Sequence, residues 1–88
     1  MRSFRLIVST PNGNALEKDI TMLSVRGTEG SLAVMAGHIP FITTTKAGEV
    51  KVKTEEGEQI YEATSGILTV TKESTTLLCG TFELAEGK

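Results

Sequence analysis

The amino-acid sequence predicts an all-β protein, either a sandwich or a barrel. Its thirteen threonines, six valines and six isoleucines have branched side chains that favour pleated strands. Turns bearing glycine or proline divide the chain at short intervals, and no window of helical length has a sustained helical pattern of apolar residues. Short strands separated in this way are typical of all-β sandwiches and barrels.

The first strand is expected over residues 3–9, where Phe4, Leu6 and Val8 face one side. Pro11 ends its pairing because proline has no N–H to donate. The sequence therefore predicts a strand with one buried face, followed by a turn.

The next stretch, residues 15–25, is long and uneven. Leu16 and Ile20 share one phase of the strand alternation, whereas Leu23 and Val25 lie on the other. A β-bulge or a division into two short strands would explain the change of phase.

Later turns separate shorter strands, of which the clearest belong to two hairpins. We expect a short strand over residues 32–35, one hairpin of residues 49–54 and 59–64, and a second of residues 67–71 and 75–80. The remaining residues, 81–88, are expected to form a short polar tail.

Length and charge limit the possible functions. The 88 residues, 39% of them hydrophobic, fit one domain spanning residues 1–88, with a core too thin for a deep active site. The 9 basic and 11 acidic residues are interspersed, which does not indicate a nucleic-acid partner. No apolar stretch is long enough to cross a bilayer, so direct membrane insertion is not expected.

Side chains for catalysis or metal binding are sparse. The chain has one histidine, His38, and one cysteine, Cys79, and its carboxylates show no metal-ligand spacing. No segment ends in the Gly-Lys-Ser or Gly-Lys-Thr of a P-loop, and Cys79 lies in an apolar run typical of a buried thiol. We therefore predict no catalytic residue, no metal site and no cofactor.

Two glycine-bearing loops, residues 27–32 and 36–41, are candidate partner sites, although ordinary turns explain both. Ile39, Phe41 and Ile42 form an apolar cluster in and after the second loop. Any of them that does not reach the core would lie on an exposed apolar patch, which is a mark of a partner site.

These loops carry a resemblance to a known family. Residues 27–34 (GTEGSLAV), residues 37–40 (GHIP) and Thr43 resemble the epsilon subunit of rotary F-type ATP synthases. Residues 4–11 (FRLIVSTP) are similar to that family's first strand and turn. Two later segments follow in the family's order and spacing: AGEV at residues 47–50 and SGILTV at residues 65–70.

The resemblance covers roughly residues 4–82. Ser31 stands where the family commonly has an acidic residue, Ala36 where it usually has proline, and Ser65 where it often has glycine. The family continues into a C-terminal helical hairpin, which we expect to be absent from this chain because it stops at Lys88.

The resemblance implies a two-layer antiparallel β-sandwich of about ten strands. It further implies a non-catalytic rotor subunit of the proton-translocating ATP synthase, attached peripherally at the cytoplasmic face of the cell membrane through the complex. The implied partners are the gamma subunit and the polar loops of the c-ring. The family's positions carry over to Glu29, Ser31, His38 and Ile39 for the c-ring and to Thr10 and Thr43 for gamma.

Two other interpretations stay open at this stage. One is a small β-sandwich adhesion or scaffold module, unrelated to ATP synthase, that binds another protein. The other is an enzyme or ligand-binding domain, which would need a catalytic grouping or a large pocket.

Overall fold

The computed structural model describes residues 2–37 and 39–87, and ten β-strands lie within them. The strands are β1 (Phe4–Thr10), β2 (Gly13–Ile20), β3 (Met22–Gly27), β4 (Gly30–Met35), β5 (Phe41–Thr45), β6 (Gly48–Thr54), β7 (Gly57–Ala63), β8 (Gly66–Val70), β9 (Ser74–Cys79) and β10 (Phe82–Gly87). The described residues include no helix that is long and apolar enough to span a membrane.

Hydrogen bonds join the strands along one path, in the order β10-β7-β6-β3-β5-β8-β9-β1-β2, and β4 pairs with β3 beside that path. Between β3 and β5 the register contains a single residue pair, Gly27 with Thr45, next to a bond from the Lys46 N–H to the Arg26 carbonyl. The path turns a corner at this point. It divides the strands into sheet I (β4, β3, β6, β7, β10) and sheet II (β5, β8, β9, β1, β2).

The two sheets pack against each other around one hydrophobic core. Sheet I contributes Leu23 and Val52, and sheet II contributes Leu6 and Leu68, all of which are buried. These residues occupy alternate positions of their strands, as expected where one face of each sheet is buried. The predicted two-layer sandwich of ten strands is therefore confirmed.

The uneven stretch after the first turn divides into β2 and β3, as the two-strand alternative predicted. Thr21 lies at the junction, and both its N–H and its hydroxyl donate to the carbonyl of Lys53, at 2.7 and 3.1 Å. Ile20 and Leu23 can therefore both enter the core, although they lie on opposite phases of the sequence pattern.

Three features differ from the prediction. Among the described strands, β1 and β9 pair in parallel, whereas every other pair is antiparallel. β5 was seen only as an apolar cluster. The polar tail expected over residues 81–88 was wrong in its structure, because Phe82–Gly87 forms β10 against β7. The ring of Phe82 stacks on Tyr61 at 4.5 Å between centroids, and this contact draws the segment onto sheet I.

The connection between β9 and β10 depends on the hydroxyl of Thr64. Thr64 Oγ1 accepts hydrogen bonds from the N–H of Gly80 at 2.8 Å and of Thr81 at 3.0 Å. We expect Thr64→Val to lower the free energy of unfolding by about 1–2 kcal/mol, because two amides lose their acceptor at a site that water partly reaches. Thr64→Ser, which keeps the acceptor, should cost under about 1 kcal/mol. Urea unfolding measures both, and equal stability of the two variants would contradict this role.

Candidate interaction surfaces

On the outer face of sheet II, two rows of uncharged side chains cross four of its five strands. One row runs Ile42, Thr69, Thr76 and Ile7, and the next runs Thr44, Ile67, Leu78 and Ser9. Their side chains alternate with the buried ones, so they point away from the core. Ile42 is 72% exposed, and Ile67 and Leu78 are close to half exposed. These eight residues are called the neutral face below.

The outer face of sheet I has a different character. Lys51 and Lys53 of β6 alternate with buried valines and stand opposite Ile60 and Glu58 of β7. Glu49 of β6 stands opposite Glu62 of β7. Charged side chains remain hydrated at low cost, so this face suits solvent, whereas the neutral face exposes the apolar side chains of Ile42, Ile67 and Leu78 among hydroxyl side chains.

Thr10 lies next to the neutral face. It lines a shallow groove of about 420 Å³ together with Pro11 and Gly66, and the groove shares Ser9, Ile67 and Leu78 with that face. The hydroxyl of Thr10 is bonded within its own turn, to the carbonyl of Gly13 at 3.0 Å. The structure therefore extends the neutral face to the β1–β2 turn.

Glu29, Ser31 and Thr43 are brought together at a second place. They line a cavity of about 360 Å³ around the β3–β4 turn, with Leu32 on its wall. Thr43 enters from β5 of the other sheet. The structure thus joins residues that the resemblance divided between the c-ring and gamma.

Ile39 lies apart from this cavity and is 78% exposed. Ile39 follows the C-terminal end of β4, whereas Glu29 precedes the N-terminal end. The six residues of β4 span roughly 17 Å at about 3.4 Å per residue. His38 lies outside the described residues. A partner that contacts both Glu29 and Ile39 must therefore extend along the side of the sandwich.

Two titratable side chains, Cys79 and Tyr61, belong to the buried core. Burial raises the pKa of the Cys79 thiol, which makes the thiol a poorer nucleophile. Burial also raises the pKa of Tyr61, whose hydroxyl donates to Gln59 Oε1 at 2.8 Å. Within residues 2–37 and 39–87 no group of histidine, cysteine and carboxylate side chains is arranged to hold a metal ion.

Comparison with known proteins decides the family. The family model for the ATP synthase, Delta/Epsilon chain, beta-sandwich domain matches residues 3–85. The chain belongs to this family. Membership confirms the predicted epsilon-type sandwich, supports a non-catalytic subunit over an enzyme, and shows that the alternative of an unrelated β-sandwich module was wrong.

Among its relatives, the sodium ion specific ATP synthase epsilon chain of Propionigenium modestum is 40% identical over 78 residues, covering 89% of this chain and 57% of the relative. The ATP synthase epsilon chain of Bacillus subtilis is 32% identical over 87 residues, covering 99% and 66%. This chain of the epsilon family therefore spans less than two thirds of the length of these relatives.

Two solved structures share the fold. A chain of the Euglena gracilis mitochondrial ATP synthase, in an OSCP/F1/c-ring structure, superposes with a TM-score of 0.87 at 19% identity, covering 93% of this chain and 53% of that one. A chain of the Tetrahymena thermophila mitochondrial ATP synthase, in a central stalk/c-ring structure, gives 0.77 at 14% identity, covering 92% and 66%.

The sequence did not identify the central residues of the neutral face. The pattern held a signal, because Ile67-Leu68 and Leu77-Leu78 place apolar residues on both phases of one hairpin. In an antiparallel sheet with one solvated side, such strands should alternate apolar and polar residues. The apolar residues on the second phase, Ile67 and Leu78, therefore indicate an exposed apolar patch on the outer side of the hairpin.

Proposed function

We propose that this domain is a non-catalytic rotor component of an ATP synthase, which binds the gamma subunit through the neutral face. It would lie in the central stalk at the cytoplasmic face of the cell membrane, attached through the complex, and would help to couple rotation to ATP synthesis. The observation that carries the proposal is the neutral face of sheet II, joined to the groove at Thr10.

A rotor component must transmit torque without deforming, and the fold suits that task. Hydrogen bonds run along nearly the whole path of strands, and both sheets pack on one hydrophobic core. Interiors packed in this way have low compressibility. The sandwich can therefore act as a rigid body, and its function depends on the surfaces that it presents.

The size of the neutral face fits the centre of a protein interface. Four strands at about 4.8 Å spacing span roughly 14 Å between the outer strand axes. A stable interface needs on the order of 800 Å² from each partner, with an apolar centre and a polar rim. The groove at Thr10 extends the surface at one end, and the ion pairs of Arg5 with Glu17 and Asp19 supply a charged rim beside it.

The remaining site residues are assigned to the c-ring. Glu29 and Ser31 at the β3–β4 turn, with His38 and Ile39 beyond the other end of β4, would meet the polar loops of the c-ring. Thr43 would contact gamma. Since Thr43 lines the same cavity as Glu29 and Ser31, the two partners would meet along this side of the sandwich.

Capture experiments with charged variants test this division of partners. We expect Thr43→Arg to reduce capture of purified gamma about tenfold or more, because a long cation replaces a partly buried hydroxyl. Glu29→Lys should reduce capture of the c-ring, because it reverses the charge at the β3–β4 turn. Glu56→Lys is the matched control, since this carboxylate lies in the β6–β7 turn at the opposite end of the sandwich. Wild-type capture of gamma by Thr43→Arg, or wild-type capture of the c-ring by Glu29→Lys, Ile39→Asp and His38→Ala alike, would overturn the site assignment.

A further inference from the structure

The outer edge of β4 has main-chain groups that no described strand satisfies. Within residues 2–37 and 39–87, β4 pairs with β3 alone. The carbonyl of Arg26 accepts a bond from Lys46 on the side of β5, so the main chain of Arg26 points away from β4. Arg26 is the register partner of Ser31. Because bonding direction alternates along an antiparallel pair, Ser31, Ala33 and Met35 direct their N–H and C=O groups to the open edge.

Other edges of the sandwich are protected in ways that β4 is not. β2 has Glu17, Lys18 and Asp19, and its register with β1 shifts at a bulge. β10 has Glu83 and a register shift against β7. Charges and bulges of this kind block pairing with further strands.

By contrast, β4 reads Gly-Ser-Leu-Ala-Val-Met, with no charge, no proline and no shift against β3. Val34 is buried in the core and Leu32 packs against it, whereas Ser31, Ala33 and Met35 are exposed, Met35 to 54%. An uncharged edge of six residues in continuous register is a template for an added strand.

The surroundings of this edge indicate the chemistry of the occupant. The cavity of about 360 Å³ at Ser31, Leu32 and Thr43 adjoins the edge and can accept a side chain from a neighbouring strand. Glu29 lies at the tip, and the described residues supply it with no ion pair. An occupant would therefore be uncharged along its length and basic at the end near Glu29.

We propose that β4 is completed by strand addition, in which an extended, uncharged segment of the gamma subunit pairs with its outer edge and places a lysine or arginine near Glu29. The inference rests on the proposed binding of gamma. It adds a main-chain interface on sheet I to the side-chain interface on sheet II.

Hydrogen exchange measured by NMR at single amides tests the pairing. In the free domain, the amides of Leu32 and Val34 are protected by β3, whereas those of Ser31, Ala33 and Met35 exchange quickly. In the complex with gamma, we expect exchange at these three amides to slow by about tenfold or more. Stable gamma binding that leaves all three exchanging as in the free domain overturns strand addition and leaves the proposed function standing.

Two variants at one position give a matched comparison. Ala33→Pro removes the outward N–H, and proline is tolerated on an edge strand where that N–H faces solvent. We expect it to weaken gamma binding about tenfold or more, whereas Ala33→Ser, which keeps the N–H, stays within about threefold. Equal binding by both variants overturns the proposal.

Self-association separates the remaining outcomes. If wild-type domain forms dimers in sedimentation that Ala33→Pro abolishes, while gamma binding is unchanged, the occupant of the edge is a second copy and the proposal for gamma is wrong. If gamma fails to bind the wild-type domain at all, the proposed function fails first, and the strand addition fails with it.

Discussion

Gly66→Ala is expected to destabilise the domain by about 3 kcal/mol or more, or to prevent folding. A Cβ atom on Gly66 would lie 1.9 Å from the carbonyl oxygen of Leu78 and 2.9 Å from its carbon, so β8 and β9 would have to separate. These are backbone atoms where the start of β8 pairs with the end of β9, and they cannot move aside as a flexible side chain can. Overpacking of a fixed site usually costs 1–3 kcal/mol, and a clash with the main chain should exceed that range.

The matched comparison is Gly13→Ala, in the β1–β2 turn. A Cβ there meets no atom within 4 Å, but the residue has a φ of 116°, so alanine incurs only conformational strain. We expect a loss of about 1–2 kcal/mol for Gly13→Ala in urea unfolding at constant m-value. If Gly66→Ala unfolds at the same urea midpoint as the wild type, the close approach of β8 and β9 is not a requirement of the fold.

Ile67→Lys is expected to weaken gamma binding at least about 30-fold, which corresponds to about 2 kcal/mol, while stability changes by less than about 0.5 kcal/mol. Ile67 is 44% exposed at the centre of the neutral face, between Thr44 and Leu78. In the free domain a lysine there extends into water. In the complex it would bury an unpaired charge in the driest part of the interface.

Ile60→Lys is the matched control, because Ile60 occupies the outer face of sheet I next to Lys51. The same substitution on this charged face should leave gamma binding within about threefold. Calorimetry measures both affinities. Comparable losses for the two variants would mean that lysine disturbs the domain in general, and the neutral face would lose its special role.

The sequence predicted most strands because their boundaries are set by local chemistry. Pro11 and the glycine turns end strands through their own backbone chemistry. The alternation of apolar Val50 and Val52 with polar residues is visible without knowledge of the neighbouring strands. β10 was missed because its reason is not local: Phe82 is drawn onto sheet I by the ring of Tyr61, some twenty positions earlier. The parallel pairing of β1 with β9 also depends on how distant strands are ordered, and no short pattern encodes it.

The candidate site residues likewise differ in whether the local sequence could identify them. Residues in recognisable turns, such as Thr10 and Glu29, could be selected from sequence, and the structure then places them on two separate surfaces. The neutral face could not be selected residue by residue. Its members come from four strands, and only the register of those strands places Ile42 and Ile7 in one row.

The claim that the neutral face binds gamma is tested most directly by methyl NMR of the domain, with isoleucine and leucine methyl groups labelled, titrated with unlabelled gamma. If gamma binds the neutral face, the methyl signals of Ile42, Ile67 and Leu78 should shift strongly and show intermolecular contacts with gamma. The methyl signals of Ile60, on the opposite sheet, should stay as they are in the free domain. Contacts from gamma to Ile60, with Ile42, Ile67 and Leu78 unchanged, would contradict it.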